Sequence, residues 1–242
     1  MLKLMTFPAG FGEPSLSPFC VKAMILLDLS GQAWEPEWLM MPPSIGYGKL
    51  PILRTPDGPV PDSNFILAWL ETQGADLFPG LDAGQRAQAH AIIRMVEEHL
   101  RLFLVNDRWV RDDGWAVLEP AVFGAMPRPL RLVVPGLARK GIRKTLQSQG
   151  IGKFSDAHAA QAAAADLDVL QQRLGEGPWL FGSRPSAVDA AALPVLSALD
   201  KLPGDTPARH ALRERGSLMA YVTRGRAQLY PERFRTPTAA AA

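Results

Sequence analysis

A chain of 242 residues, 47% hydrophobic and 21% charged, can bury the core of one large or two small domains. Its 26 basic residues against 24 acidic ones leave a formal charge of +2, which argues against a dedicated nucleic-acid surface. A single cysteine excludes an internal disulfide framework and any cysteine metal site, and no run approaches the roughly 20 apolar residues of a membrane span.

The stretch Met1 to Phe7 is too short for a signal segment, so a cytoplasmic protein is expected. Leu2 to Phe7 alternates as a first strand, and Pro8 to Ser15 follows as a loop rich in Gly and Pro. Ser17 is a favoured N-cap and Pro18 a favoured first helical residue; Cys20, Met24 and Leu27 then form an apolar stripe that ends before Gly31. Trp34 to Met40 is a second strand. Pro51 to Leu53 and Pro59 to Pro61 are two short strands about the turn Thr55-Pro56-Asp57-Gly58. A helix starts at Asp62-Ser63, turns Phe65, Ile66, Trp69 and Leu70 inward, and stops at Gly74.

From Leu77 to Asp82 the composition is that of a linker, and every later pattern is helical. Ala83 to Asn106 carries Ile92, Val96, Leu100 and Phe103 at helical spacing, Asp156 to Leu174 is Ala-rich, and Ser186 to Leu199 is a third strong helix. Glu119 to Lys153, interrupted by Pro120, Pro127, Pro129 and Pro135, is read as short helices and loops. Thr236 to Ala242 is read as a tail without regular structure. The expected division is therefore an α/β domain over residues 1–78 and an all-helical one over 84–235.

Four motifs carry a resemblance: Ser17-Pro18-Phe19-Cys20, Gly48-Lys49-Leu50-Pro51, Asp62-Ser63, and Trp179-Leu180-Phe181-Gly182 followed by Pro185-Ser186-Ala187-Val188-Asp189. Together they resemble the glutathione S-transferase superfamily, in which a thioredoxin-like domain precedes an all-α domain. The Ser-Pro-Phe pattern is similar to its serine-type classes, and Ser15 to Lys22 is also similar to the failed-axon-connections and metaxin-like branch. The resemblance implies a cytoplasmic homodimer that uses glutathione as co-substrate and conjugates it to a small hydrophobic electrophile. A non-catalytic glutathione-binding module and a Cys20-dependent thiol oxidoreductase are the alternatives.

The resemblance implies a role for each motif. Ser17 takes the catalytic position, where a hydroxyl and the positive end of a helix hold the glutathione sulfur as thiolate. Free thiols ionise near pH 8.5, so lowering that by one or two units requires only about 1.4 to 2.8 kcal/mol. Phe19 follows Ser17 into the site. Pro51 resembles the superfamily's cis-proline, Leu50 would pair by its backbone with the cysteinyl part of the tripeptide, and Lys49 would meet the glycyl carboxylate. Asp62 and Ser63 would take the γ-glutamyl ammonium and carboxylate at a helix start.

Each of these residues has a plainer reading. Ser17, Asp62 and Ser63 are ordinary N-cap residues, Lys49 is a solvated lysine, and Cys20 is a small core residue. The loop from Pro8 to Leu16 is long, so Ser15 competes with Ser17 for the sulfur. Trp109, Trp115 and Phe123 fall where the family builds its electrophile pocket. His90, His99, His158 and His210 are too scattered for a metal site. The acid-free stretch Ala121 to Lys153, with seven basic residues from Arg128 to Lys153, is read as a solvated face.

Overall fold

Residues 1–231 are described by a computed structural model. The Thr236–Ala242 stretch and the last residues of the expected helical domain lie outside them. Strand β1 (Leu2–Thr6), helix α1 (Pro18–Leu29), β2 (Trp34–Trp38), β3 (Ile52–Thr55), β4 (Gly58–Pro61) and α2 (Ser63–Thr72) follow in the expected order. They form a thioredoxin-like unit.

The sheet runs β2-β1-β3-β4, with β1 parallel to β2 and antiparallel to β3. A parallel pair needs a crossover, and α1 supplies it. Both edge strands contain proline, Pro36 in β2 and Pro59 and Pro61 in β4, so neither edge offers a full row of donors to another strand. Asp57 and Gly58 close the β3–β4 hairpin in register Thr55↔Gly58.

Helices account for every later element among the described residues. They are α3 (Ala83–Met95), a π-helical turn (Val96–Leu100), α4 (Arg101–Trp109), α5 (Asp112–Phe123), α6 (Arg128–Arg131), α7 (Val134–Gln149), a 3₁₀ turn (Ile151–Lys153), α8 (Asp156–Leu174), α9 (Ala187–Asp200), α10 (Pro207–Arg213) and α11 (Gly216–Leu229). No helix among the described residues is long and apolar enough to cross a membrane. Helix α9 is buried along its whole length and packs against α1, so one core is shared by the two parts of the chain.

Capping fixes where the helices begin. Asp82 and Gln85 form a capping box on α3, and Ser155 caps α8. On α9 the box is Ser186 and Asp189, as the sequence predicts. Asp189 is fully buried and also accepts from the Leu180 N–H at 3.0 Å and the Tyr221 hydroxyl at 3.1 Å. Burial pushes its carboxyl up, and those donors pull it back.

Three expectations change. The Pro-rich stretch holds a 16-residue helix, α7, because Pro135 falls in its first turn, where no N–H is needed. Arg139 of α7 turns inward and donates to the carbonyls of Trp109 and Val110 at 3.0 and 2.8 Å, completing the C-terminal end of α4. Phe65 faces outward: the buried stripe of α2 is Ser63, Ile66, Leu67 and Leu70, and Phe65 is 53% exposed beside Tyr47. The long helix after Ala83 is interrupted by the π turn, which inserts a residue and rotates Glu97 into the interior.

Candidate functional site

Ser17 precedes α1 with an extended backbone (φ −113°, ψ 126°), and its hydroxyl makes no capping hydrogen bond. The oxygen therefore caps no backbone N–H of the helix it starts. Pro18 has no N–H, so the first donor the helix can present is that of Phe19. Ser15, the competing serine, is 2% exposed, donates to the Phe7 carbonyl at 2.8 Å and accepts from the Ser17 N–H at 3.4 Å. Its hydroxyl is thereby engaged with the Phe7 and Ser17 backbone.

Cys20 lies one turn further in and is fully buried. Burial pushes its thiol up; hydrogen bonds with Thr6, the Phe7 backbone, Ser17 and Ser15 oppose this without undoing it. A protonated thiol without solvent access cannot serve as a nucleophile, so Cys20 is a core residue.

The peptide bond between Leu50 and Pro51 is cis. It turns Leu50 off the end of β3, which begins at Ile52, and leaves its backbone outside the sheet ladder. Asp62 is the N-cap of α2: its side chain accepts from the Asn64 N–H at 2.7 Å, and its own N–H donates to the Pro51 carbonyl at 3.1 Å. Ser63 is fully buried, and its hydroxyl has no hydrogen-bond partner. A buried unsatisfied hydroxyl costs about 1–3 kcal/mol.

Beneath α2, Lys22 of α1 donates to Asn64 at 2.8 Å and to Glu97 at 2.5 Å, and the Asn64 amide returns a bond to Glu97 at 2.8 Å. Lys22 and Glu97 are each 1% exposed. Burial pulls the Lys22 ammonium down and Glu97 draws it back up. The charged triangle fixes the start of α2 against both α1 and the helical domain.

Two cavities meet at Ser17. One, of about 680 Å³, is lined by Lys49, Leu50, Pro51, Asp62 and Asn64, with Arg94, Glu98 and Arg101 on the opposite wall. The other, of about 230 Å³, is walled mostly by apolar groups including Phe11, Leu104 and Leu118, and also by Arg108. Phe7, Ser17, Phe19, Arg101, Val105 and Trp109 line both. Trp115 and Phe123 pack behind Trp109, with ring centroids 5.9 and 6.3 Å from it, and line neither.

Family models agree with this layout. One described as the glutathione S-transferase N-terminal domain matches residues 18–114, and one described as the glutathione S-transferase C-terminal domain matches residues 163–225. The chain belongs to the glutathione S-transferase superfamily. It is 28% identical over 235 residues to the isoprene-epoxide–glutathione S-transferase of Rhodococcus sp. (strain AD45), covering 94% of this chain and 99% of that one. It is 30% identical to Failed axon connections of Drosophila melanogaster (90% of this chain, 56% of that one) and 29% identical to Metaxin-1 of Mus musculus (92% and 73%). Among solved structures, a glutathione transferase family member from Pseudomonas fluorescens with two glutathione bound aligns with a TM-score of 0.61 at 16% identity, over 98% of this chain and 93% of that one.

Within this superfamily framework, every residue the sequence singles out for the tripeptide except Ser63 lines the larger cavity; Ser63, between Asp62 and Asn64 in the chain, is buried and does not line it. The sequence reading missed Asn64, Lys22, Glu97, Arg101 and Arg108. Lys22 left a trace, as the one charged residue between Phe19 and Leu27 in an otherwise apolar helix. Glu97 left none, because the π turn that buries it is invisible to a 3.6-residue period.

Proposed function

We propose that the protein is a glutathione transferase in which the Ser17 hydroxyl and the N-terminus of α1 stabilise the thiolate. The observation that carries this reading is the position of Ser17 on the wall common to a polar and an apolar cavity. Attack by sulfur on a carbon electrophile requires such a junction. It needs no covalent enzyme intermediate.

The tripeptide occupies the larger cavity in this reading. Leu50 pairs with its cysteinyl backbone, Asp62 meets its ammonium, and the orphaned Ser63 hydroxyl with the free N–H groups of α2 takes its γ-glutamyl carboxylate. Lys49 meets the glycyl carboxylate from an exposed position, so it contributes less than the buried contacts. Phe19, held under the Arg101 guanidinium at 5.2 Å, walls the sulfur. The smaller cavity suits a compact electrophile such as the epoxide in the Rhodococcus relative's name. A homodimer in the cytoplasm completes the proposal.

Calorimetric titration with glutathione, followed by conjugation of a small epoxide and an alkyl iodide, tests it. Ser17→Ala should lower kcat/KM about 10²-fold, the usual cost of one donor to a developing or fixed anion, while the glutathione dissociation constant moves less than about threefold. Unchanged turnover in Ser17→Ala sinks the catalytic assignment. Tight binding without turnover of either electrophile supports instead a glutathione-binding protein of the kind the metaxin similarity raises.

A further inference from the structure

Arg108 lies on α4 and lines the smaller cavity. It is 8% exposed, an unusual place for a guanidinium. Its hydrogen bonding among the described residues is a single contact, Nη1 to the Leu16 carbonyl at 3.3 Å, and one face of the group rests on the Phe11 ring at 4.7 Å. A guanidinium has five N–H groups, so most of them have no protein acceptor.

No carboxylate among the described residues stands within ion-pair distance of it. Glu13 is the acid that acts on it most strongly. That carboxylate is already held by Ser197, by Arg226 and by the Tyr230 hydroxyl. Burial pushes the Arg108 guanidinium down to about 10, which still leaves it charged at neutral pH. Taking a cation out of water without an ion-pair partner is costly, so such a group is placed for an anion that arrives with the substrate.

We propose that Arg108 is a catalytic residue that stabilises negative charge on a substrate oxygen, and that the cavity selects small electrophiles whose reaction generates such charge, oxiranes foremost. This rests on the transferase reading above. The glutathione thiolate forms a C–S bond to one ring carbon, the C–O bond of the oxirane breaks, and its electron pair stays on oxygen. Arg108 donates hydrogen bonds to that alkoxide. Solvent then supplies the proton that the thiol gave up on ionisation, so thiol plus oxirane become a hydroxy-thioether with nothing left over. An alkyl iodide reacts at the same carbon but discharges onto iodide, a weak hydrogen-bond acceptor, and gains little from the guanidinium.

The rival role is purely mechanical, with Arg108 tying α4 to the loop at Leu16. Two ratios separate the roles. The first is kcat/KM for 1,2-epoxybutane over kcat/KM for 1-iodobutane, which should fall about 10²-fold in Arg108→Met and recover to within about tenfold of wild type in Arg108→Lys. The second needs no turnover: wild type should bind S-(2-hydroxybutyl)glutathione about tenfold more tightly than S-butylglutathione, and Arg108→Met should lose that preference. Should Arg108→Met not fold, Arg108→Lys and the wild-type preference carry the test. Equal affinity of the wild type for both thioethers, or an epoxide-to-iodide ratio unchanged in a folded Arg108→Met, overturns the proposal. Failure of wild type to bind glutathione alone marks instead a failure of the transferase reading, and the same titration series shows it.

Discussion

Asp62 stands at φ 72° and ψ 138°, a backbone region that side-chain-bearing residues rarely enter. Such a conformation costs about 1–3 kcal/mol, and it persists because the bond to Pro51 and the cap to Asn64 hold it on both sides. Glycine at this N-cap would lose only a few tenths of a kcal/mol of capping while removing the strain. Asp62→Gly should therefore leave the melting temperature equal or higher, yet weaken glutathione binding about tenfold in calorimetry, because the carboxylate for the ammonium is gone. A variant that binds glutathione as well as wild type would show that Asp62 is a cap alone.

A buried acid on α4 makes a pH-dependent prediction. Asp107 on α4 is 4% exposed, and its Oδ2 has no hydrogen-bond partner. Burial is the largest influence on it and raises its carboxyl, while Thr206 and Asn106 oppose the rise. A carboxyl raised in the fold binds more protons there than in the unfolded chain, so its contribution is fully present below about pH 3.9 and is lost as pH climbs through the raised value. Asp107→Asn cancels that loss. Denaturant unfolding should find it about 1 kcal/mol more stable than wild type at pH 7 and closer to wild type at pH 4. A gain that is the same at both pH values would rule out titration as its source.

Among elements, the approach of α5 to α4 sets the shape of the apolar cavity, since α4 carries Leu104, Arg108 and Trp109 and α5 carries Leu118. Gly114, in the first turn of α5, makes that approach possible. A Cβ there would lie 1.8 Å from the Asp107 carbonyl oxygen and 2.9 Å from the Arg108 Cα, and both are backbone atoms that no rotamer can move. Gly114→Ala should cost about 3 kcal/mol in denaturant unfolding and should lower conjugation more than glutathione binding, because the tripeptide cavity lies on the other side of Ser17. Near-neutral stability would mean that α5 is free to slide.

The elements that local rules govern were legible in the chain. Asp57-Gly58 closes a hairpin, Ser186 with Asp189 caps α9, and Ser17-Pro18 starts α1, each through contacts within a few residues. Helix α7 was not, because proline counts against a helix unless one knows that Pro135 sits in its first turn. Phe65 misled because a large apolar residue on a helix reads as core, whereas here it is exposed and lines the larger cavity. The cavity-lining motifs could be picked out of the sequence through family resemblance. Lys22 with Glu97, Glu13 with Arg226, and Arg108 with Leu16 join residues 75, 213 and 92 positions apart, and no local pattern encodes such pairs.

At the scale of the whole molecule those distant pairs do the joining. Glu13 ties the loop after β1 to Ser197 of α9, Arg226 of α11 and Tyr230, while Lys22, Asn64 and Glu97 tie α1 and α2 to the π turn. A buried ion pair adds little beyond an apolar pair of similar size, but removing one member strands a charge and costs about 3–5 kcal/mol. Lys22→Met and Glu97→Leu should each destabilise by roughly that amount, and the double variant should recover most of it, giving a coupling of about 5 kcal/mol or more in a double-mutant cycle. The double variant also frees Asn64 from both partners. With the start of α2 no longer pinned, glutathione should bind about tenfold more weakly even where stability has returned, by the usual penalty for losing pre-organisation. Recovered stability together with full glutathione affinity would show that packing alone holds α2 in place; additive losses would show that Lys22 and Glu97 act on stability independently.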